Sequence, residues 1–416
     1  MSQEFAWTGA HALLGPAAVE GRPALTAHDP VTAAGIVVER ADAARLATLD
    51  GDWRALMQRA DAANVFMHPA LLGPATALYP HRRICALLAW QTVPGTPTRL
   101  VGLWAVGRRR RRLLLPVPVL SAPPTPNAYL ATPVIDRDCL EAVCAAFLEH
   151  IAADAALPKI VALDAMGSDG ATFAALARAV AARNGALHVF TRSQRPILAS
   201  GLDGKAYLER AMSASSRKKL RQHRRRLGEK GALASTVVSA PDEVRDAFEH
   251  FLVLEAAGWK GRQGTALASD AADAAFARAT IAALAARGDA AIHSLTLDGR
   301  PVSMQVVLRA GRTAFTWKTA YDEALHDVSP GTLLFEDYTT RLLADRDIDR
   351  VDSCSFDDTG YMAAWQERAD LARLWLDARR GGSAMFSLLV RLEAARLAVR
   401  AQAKSFYRRH LRRKGR

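Results

Sequence analysis

The sequence predicts a mixed α/β (α+β) protein built from two similar units in tandem, each a mixed, mostly antiparallel twisted sheet flanked by helices. Three observations predict it. Short runs rich in Val, Ile, Thr and aromatic residues alternate with segments whose apolar residues recur at helical spacing, the pattern of strands and helices sharing a core. One order of elements (an early helix pair, a meander of strands, a helix, a strand and a closing strand) occurs twice along 416 residues, a length comfortable for two domains. Half the residues are apolar and under a quarter charged, which is a globular composition. The expected divisions are a flexible lead-in over 1–33, a first unit over 34–193, a second over 194–380 and a basic amphipathic helix over 381–416.

The first unit opens with a strand at GIVVER from Gly35. Ala43 to Ala62 follows as an amphipathic helix with Leu46, Leu49, Trp53, Leu56 and Met57 inward. Strands are expected over Arg83 to Gln91 and Leu100 to Val106, joined by the turn VPGTPT. Arg108 to Arg112 is read as a solvated hairpin tip. The uncharged run from Leu113 to Ile135 holds six prolines, so it is expected as a loop and does not qualify as a membrane-spanning helix. A helix over Asp138 to Ala152, a strand over Lys159 to Leu163, a helix over Ala171 to Arg183 and a strand over Leu187 to Phe190 complete the unit.

The second unit begins with a strand over Arg195 to Ala199 and a helix over Gly204 to Lys230. Helix Pro241 to Ala257 ends at the glycine-interrupted loop GWKGRQGTAL, and helix Ser269 to Arg287 leads into three strands, Ala290 to Leu297, Val302 to Leu308 and Thr313 to Ala320. Asp298-Gly299-Arg300 and Gly311-Arg312 supply the tight turns between them. A helix starting at Ser329-Pro330-Gly331, a buried strand over Arg350 to Ser355, a short helix through Trp365 and a strand over Ala372 to Asp377 follow.

Charge is unevenly placed. Arg217 to Lys230 holds eight Lys/Arg against one acid and Arg400 to Arg416 eight against none, so these two segments exceed the whole net charge of +13. In the first, Arg217, Lys218, Arg221, Arg224 and Arg225 spread over a wide helical face opposite Met212, Leu220 and Leu227, read as a polyanion contact: tRNA, a coenzyme phosphate or an acidic glycan. In the second, Met385, Leu388, Leu389, Leu392 and Val399 form a stripe ahead of the basic end, which fits a helix lying on an anionic membrane. The N-terminus lacks a basic start before an apolar core, so no signal peptide is expected. Cys85, Cys139, Cys144 and Cys354 form no CxxC pair and complete no metal set with histidines; reduced thiols, no metal, and a cytoplasmic protein peripheral to the inner membrane face are expected.

The stretch from Gly311 to Asp352 carries the functional signal. A strand rich in Thr, Phe and Trp passes through Tyr321-Asp322-Glu323 to Ser329-Pro330-Gly331 and an apolar-periodic helix (Leu333, Leu334, Tyr338, Leu342, Leu343). Ser329 or Gly331 is expected to cap that helix with Pro330 in its first turn, where a missing N–H matters least. A helix start of this kind presents unpaired N–H groups and a dipole to an anion such as a phosphate; a plain strand-to-helix connection has the same spacing.

Four motifs, GWKGRQGTAL, WKTAYDEALHDVSPGTLL (Trp317 to Leu334), DSC (Asp352 to Cys354) and WQER (Trp365 to Arg368), lie in order through the second unit. Together they resemble the bacterial CelD-like acyltransferases, tandem members of the GNAT superfamily related to FemAB-type transferases and associated with cellulose or exopolysaccharide synthesis. The resemblance implies tandem GNAT-like domains and transfer of an acyl group from acyl-CoA, such as acetyl-CoA, to an amine or hydroxyl of a small-molecule or glycan acceptor. It implies that the Thr313 strand splays from its neighbour, with Thr319 and Ala320 at the thioester, and that Val328, Ser329, Gly331 and Thr332 hold the pyrophosphate. The family's glycine-rich phosphate signature is absent and Asp327 to Thr332 stands in its place, which leaves aminoacyl-tRNA open as an alternative donor.

Tyr361 stands where such enzymes place the acid that protonates the leaving thiolate, and equally where a tyrosine packs on Trp365. Asp352 is a candidate to orient or deprotonate the acceptor, or to cap the loop after its strand. Lys260 and Arg262, with Trp317, Lys318, Tyr321 and Asp322, are candidates for acceptor binding, with Trp259 anchoring their loop by burial. Arg368 is a further candidate, or a structural partner of an acid such as Asp322; Cys354 is read as a small buried thiol. A non-enzymatic protein docking on a membrane or complex is the remaining class.

Overall fold

The computed structural model describes residues 35–112, 116–356 and 359–414; the lead-in over 1–33 lies outside them, as do the side chains of 404–416 in the basic tail. The first half runs β1 (Ile36–Ala41), α1 (Ala43–Ala47), α2 (Asp50–Arg59), α3 (Pro69–Leu78), β2 (Cys85–Gln91), β3 (Arg99–Arg112), β4 (Pro116–Ala122), β5 (Val134–Ile135), α4 (Leu140–Ala153), β6 (Ile160–Gly167), α5 (Ala171–Ala182) and β7 (Ala186–Leu198). The second runs α6 (Gly204–Ala211), α7 (Ala214–Gly228), β8 (Leu233–Val238), α8 (Pro241–Ala257), the one-turn α9 (Trp259–Arg262), α10 (Ala271–Ala285), β9 (Ala290–Leu297), β10 (Arg300–Ala310) and β11 (Thr313–Tyr321). A 3-10 turn (Glu323–Val328), α11 (Pro330–Ala344), β12 (Arg350–Asp352), β13 (Glu367–Asp377) and α12 (Ala384–Lys414) finish it.

The strands form one sheet in the order β1-β2-β3-β4-β6-β13-β7-β12-β11-β10-β9-β8, with β5 pairing β3 off this path. The mixed, tandem arrangement is visible in that order. In the first half three antiparallel pairings lead from β1 to β4, which then runs parallel to β6. In the second, three antiparallel pairings lead from β8 to β11, which runs parallel to β12. The closing strands cross over: β13 pairs with β6, β7 pairs with β12, and the two pair with each other at the centre.

Several elements differ from the sequence reading. The boundary expected at residue 193 falls inside β7, one continuous strand that joins the two expected over 187–190 and 195–199. The proline-rich run contains β4; its prolines lack N–H donors, but Pro116 and Pro118 pair only with β3, and the parallel pairing to β6 uses Leu120 to Ala122. Arg108 to Arg112 are the distal, paired end of the β3–β4 hairpin, Arg112 lying opposite Pro116. The helix expected over 43–62 is split at Thr48-Leu49, and the one over 204–230 is split before Ser213, whose hydroxyl accepts from Ser216 N and starts α7 anew. The edge strand β8 is half exposed and lacks the apolar signal of the interior strands.

Three apolar clusters hold the layers, the smallest of them under α12. The largest runs through both halves and joins them where Phe66 meets Phe315 edge-to-face with centroids 5.8 Å apart. The second lies under α11 and α6, around Tyr207, Leu333, Phe335 and Trp365.

Candidate active site

The strand from Thr313 does part from its neighbour. β11 pairs with β12 at Thr313, Ala314 and Phe315 only, whereas its other edge stays paired with β10 as far as Tyr321. Beyond Asp352 the chain turns aside: Cys354 takes φ 53°, and Asp352 Oδ1 accepts its N–H at 2.7 Å. A side chain that captures a backbone donor two residues on offers it an alternative to the ladder, and here it ends the ladder. Within the parted stretch the register to β10 skips Trp317, a bulge that turns the backbone at that residue.

The open end of this V meets the start of α11. Asp322 caps the 3-10 turn by accepting from Ala324 N, Val328 is buried, and Ser329 sits in the left-handed region (φ 48°, ψ 58°). Ser329 takes the N-cap position of α11 with Pro330 in the first turn, as expected, but caps through its carbonyl, which accepts from Thr332 N and Leu333 N, and not through its side chain. With Pro330 lacking an N–H, Gly331 is the first-turn donor for which the described residues supply no acceptor. A Cβ at Gly331 would lie 3.6 Å from the half-buried Tyr321 ring, in ordinary contact.

Helix α7 flanks this corner. Arg224 donates to Asp337 (2.7 Å), Glu336 (3.1 Å) and the Leu333 carbonyl (3.3 Å), and Lys230 lies 4.0 Å from Asp327. Arg224 is thus committed to α11 and is corrected from polyanion ligand to structural clamp. Arg217 pairs with Glu209 at 3.2 Å, while Lys218 and Arg221 are exposed.

Along β11, Trp317 and Lys318 turn toward the first half. Asn127, in the left-handed region that asparagine tolerates, offers its carbonyl to Trp317 Nε1 (2.7 Å) and its Oδ1 to Lys318 Nζ (2.6 Å). The buried Lys318 ammonium also faces the rings of Tyr129 (5.7 Å) and Trp317 (5.9 Å), and burial pushes its amine below the usual lysine range against the pull of Glu255. Lys260 is half-buried, bonded to Glu255 Oε1 (3.0 Å) and the Thr319 carbonyl (2.8 Å), and its amine is lowered for the same first reason. Thr319 Oγ1 donates to the Met304 carbonyl, and Ala320 packs into the larger core.

The remaining candidates are scattered around this centre. Asp352 is buried and ion-paired through both oxygens to Arg195 Nη1 (3.1 and 3.2 Å), and it holds the loop after its strand. Trp259 is 44 % exposed, so its loop is not anchored by burial; Glu323 anchors it instead, accepting from Trp259 N and Arg262. Arg368 bonds the Trp365 and Glu367 carbonyls rather than Asp322, whose charged neighbour is Arg300 at 3.8 Å. Tyr361 stands at the surface with its ring against Phe335 (5.1 Å), one ring removed from Trp365. Cys354 is buried, and burial raises its thiol well above the ordinary range.

On α12, Phe386 and Leu389 pack on Val119, Ile160, Ala162 and Trp375, and Glu393 is fully buried against Arg373 and Arg396. The expected single stripe therefore divides: Leu389 faces the body, and Met385, Leu388 and Val399 face outward. Among the described residues no helix is long and apolar enough to cross a membrane, and no group of three His, Cys, Asp or Glu gathers as for a metal.

Sequence reasoning missed Asn127, Tyr129, Arg195 and Glu255. Arg195, fully buried, ties Asp352 to the Tyr129 carbonyl (2.7 Å) and stacks over Phe356 (4.9 Å). Its one signal was a lone arginine at the head of the apolar run Pro196-Ile197-Leu198.

Two parallel strands that part, with a helix start at the mouth between them, are the arrangement expected of a GNAT-like fold. Residues 214–361 match the family described as acetyltransferase (GNAT) domain. No curated protein matches the sequence. Among solved structures the fold is similar to that of FemX (TM-score 0.55, 11 % identity, covering 81 % of this chain and 96 % of that one). It is also similar to a conserved protein of unknown function from Bacteroides thetaiotaomicron VPI-5482 (TM-score 0.50, 13 % identity, covering 80 % and 97 %).

Proposed function

We propose that the chain transfers an acyl group from acyl-CoA, acetyl-CoA being the simplest, to an amine or hydroxyl of a small-molecule or glycan acceptor. The carrying observation is the V between β11 and β12, whose mouth meets the Gly331 N–H at the start of α11. The donor fits these residues: its phosphates find a free backbone donor and a helix dipole, with exposed cations on α7 nearby. The thioester lies along the edge of β11 that β12 leaves unpaired.

The acceptor nitrogen or oxygen attacks the thioester carbonyl, and the carbon–sulfur bond breaks as the new bond forms. The Trp317 bulge and the Lys318 amine donate to the oxyanion, Asp352 and Arg195 hold the apex of the V, and Tyr361 protonates the departing thiolate. Trp259, Arg262 and Tyr321 border the donor's path. The motif resemblance supports an acceptor drawn from polysaccharide or envelope precursors. Exposed Met385, Leu388 and Val399 beside Arg391 and Arg400 support a peripheral position on an anionic membrane. Calorimetry with acetyl-CoA and longer acyl-CoAs tests the donor, and silence with every acyl-CoA overturns the reading.

The exposed Lys218 and Arg221 beside the same helix start favour aminoacyl-tRNA as a second reading of the donor. It requires tRNA binding that weakens steeply between low and moderate salt.

A further inference from the structure

Between the two halves, where β11 and β12 part, lies a cavity of about 310 Å³. We infer that it receives the acyl acceptor, and that the acceptor is a small zwitterion carrying an ammonium group and, a few atoms away, a carboxylate or phosphate. This inference rests on the acyltransferase reading and names the substrate class for the same site.

Position comes first. Phe315 and Asp352 are the last paired residues of β11 and β12, and both line the cavity, so it opens at the apex of the V. Thr313, Phe315, Arg350, Asp352, Ala369 and Leu371 occupy alternate positions on three strands and therefore share one face of the sheet. That face is turned to the first half, where Phe315 meets Phe66. An acceptor held here approaches the thioester from the side away from α11.

Charge comes second. Arg350 is half-buried, and among the described residues its guanidinium has no partner, whereas the buried Arg195 is paired with Asp352. A cation partly withdrawn from water gains most from an anion brought in by the ligand. Across the cavity, Asp61 and Asp169 come from the first half. Asp61 is fixed by Thr172, whose N–H and Oγ1 both donate to its Oδ2 (2.9 and 2.7 Å), leaving Oδ1 uncommitted. Asp169 accepts from Asp370 N through Oδ2 alone (3.3 Å). One unmatched cation facing two carboxylates with spare oxygens is complementary to a ligand bearing both signs. The volume lies at the low end for ligand pockets, which suits an amino acid or a charged amino sugar.

The chemistry balances without another reactant. The ammonium gives one proton to a carboxylate, and the neutral nitrogen attacks the thioester carbonyl. The carbon–nitrogen bond forms, the carbon–sulfur bond breaks, and the second nitrogen proton ends on the leaving sulfur, giving an amide and free thiol.

The test uses the full chain and matched probes: glucosamine 6-phosphate and L-lysine, which carry both charges; glucosamine and cadaverine, which carry only the amine; and glucose 6-phosphate, which carries only the anion. Binding without donor is followed by ligand-observed NMR, and turnover by thiol release from acetyl-CoA. A probe with both charges binds and is acylated. Arg350→Gln weakens it about tenfold or more and leaves the amine-only counterpart unchanged, Asp169→Asn weakens the doubly charged and the amine-only probes alike, and neither alters the acetyl-CoA affinity. Equal handling of glucosamine and glucosamine 6-phosphate, or an Arg350→Gln variant that binds the doubly charged probes normally, overturns the inference. Acetyl-CoA binding with no response to any probe overturns it too. If the probes bind and respond to Arg350→Gln while no acyl-CoA binds, the donor reading falls and the charge assignment stands.

Discussion

Replacing Gly331 separates donor binding from stability. Gly331 lies in the first turn of α11, outside the left-handed region, and an added Cβ meets the Tyr321 ring at 3.6 Å, so alanine fits without a clash. Gly→Ala at a compatible position stabilises by about 0.4 to 1 kcal/mol, chiefly by restricting the unfolded chain. For the donor the sign reverses. The methyl group occupies space beside the free N–H, and a hydrogen bond to a charged oxygen contributes about 1.5 to 3 kcal/mol. Losing it weakens acetyl-CoA by roughly 10- to 150-fold. Gly331→Glu adds a negative charge at the same spot and abolishes binding altogether. Calorimetry measures the affinities and urea unfolding the stabilities. If Gly331→Ala and Gly331→Glu both bind acetyl-CoA within twofold of the parent, the phosphates lie elsewhere and the assignment of the helix start is refuted.

Three other expectations follow from buried charge. Lys318→Met removes an amine that has no carboxylate partner; stability at neutral pH rises by about 1 kcal/mol, while thiol release falls about 100-fold. Because burial holds the folded-state amine below 10.5, the parent also gains stability as pH rises toward 10.5, and the variant does not; urea midpoints against pH read both effects. His293, buried with Nδ1 unpaired, is pushed down to about 4 from 6.5 by burial, so the unfolded chain binds the extra proton. Its contribution is complete above about pH 6.5 and is lost as pH falls toward 4, at most about 3 kcal/mol, and His293→Leu flattens that limb of the stability curve. Glu255→Gln leaves the half-buried Lys260 ammonium without its carboxylate and costs about 1.5 to 3 kcal/mol, whereas Glu255→Gln with Lys260→Met recovers most of it; equal losses in the single and double variants would contradict the pairing.

The second half was legible in sequence wherever local pattern decides structure. The meander β9 to β11 follows from apolar alternation and glycine turns, and α11 from its proline and leucine spacing. Charge identified α7 as unusual, but not that Arg224 would be consumed by Asp337 and Glu336, acids more than a hundred residues away. The same distance hid Arg195 and Asp352, and hid the reach of Asn127 from a proline-rich run to β11, since neither pairing leaves a trace in nearby residues. Trp259 misled because a large aromatic in a glycine loop is ordinarily buried, yet the loop is secured by its backbone through Glu323. β4 and β8 escaped because prolines and half-exposed polar residues mask strands that only their neighbours define.

The crossed pairing of β7 with β13 makes the two halves inseparable. A gene fragment ending after β7 leaves β6 without the strand that borders it, and one starting after β7 leaves β12 bare; either piece exposes a raw edge that invites aggregation. Residues 367–377 are also laced to 186–197 along their whole length, so the space between the halves does not widen by swinging one against the other. Traffic into it passes through the loops at its rim, and it is these, rather than any hinge, that selection would retune to change the acceptor.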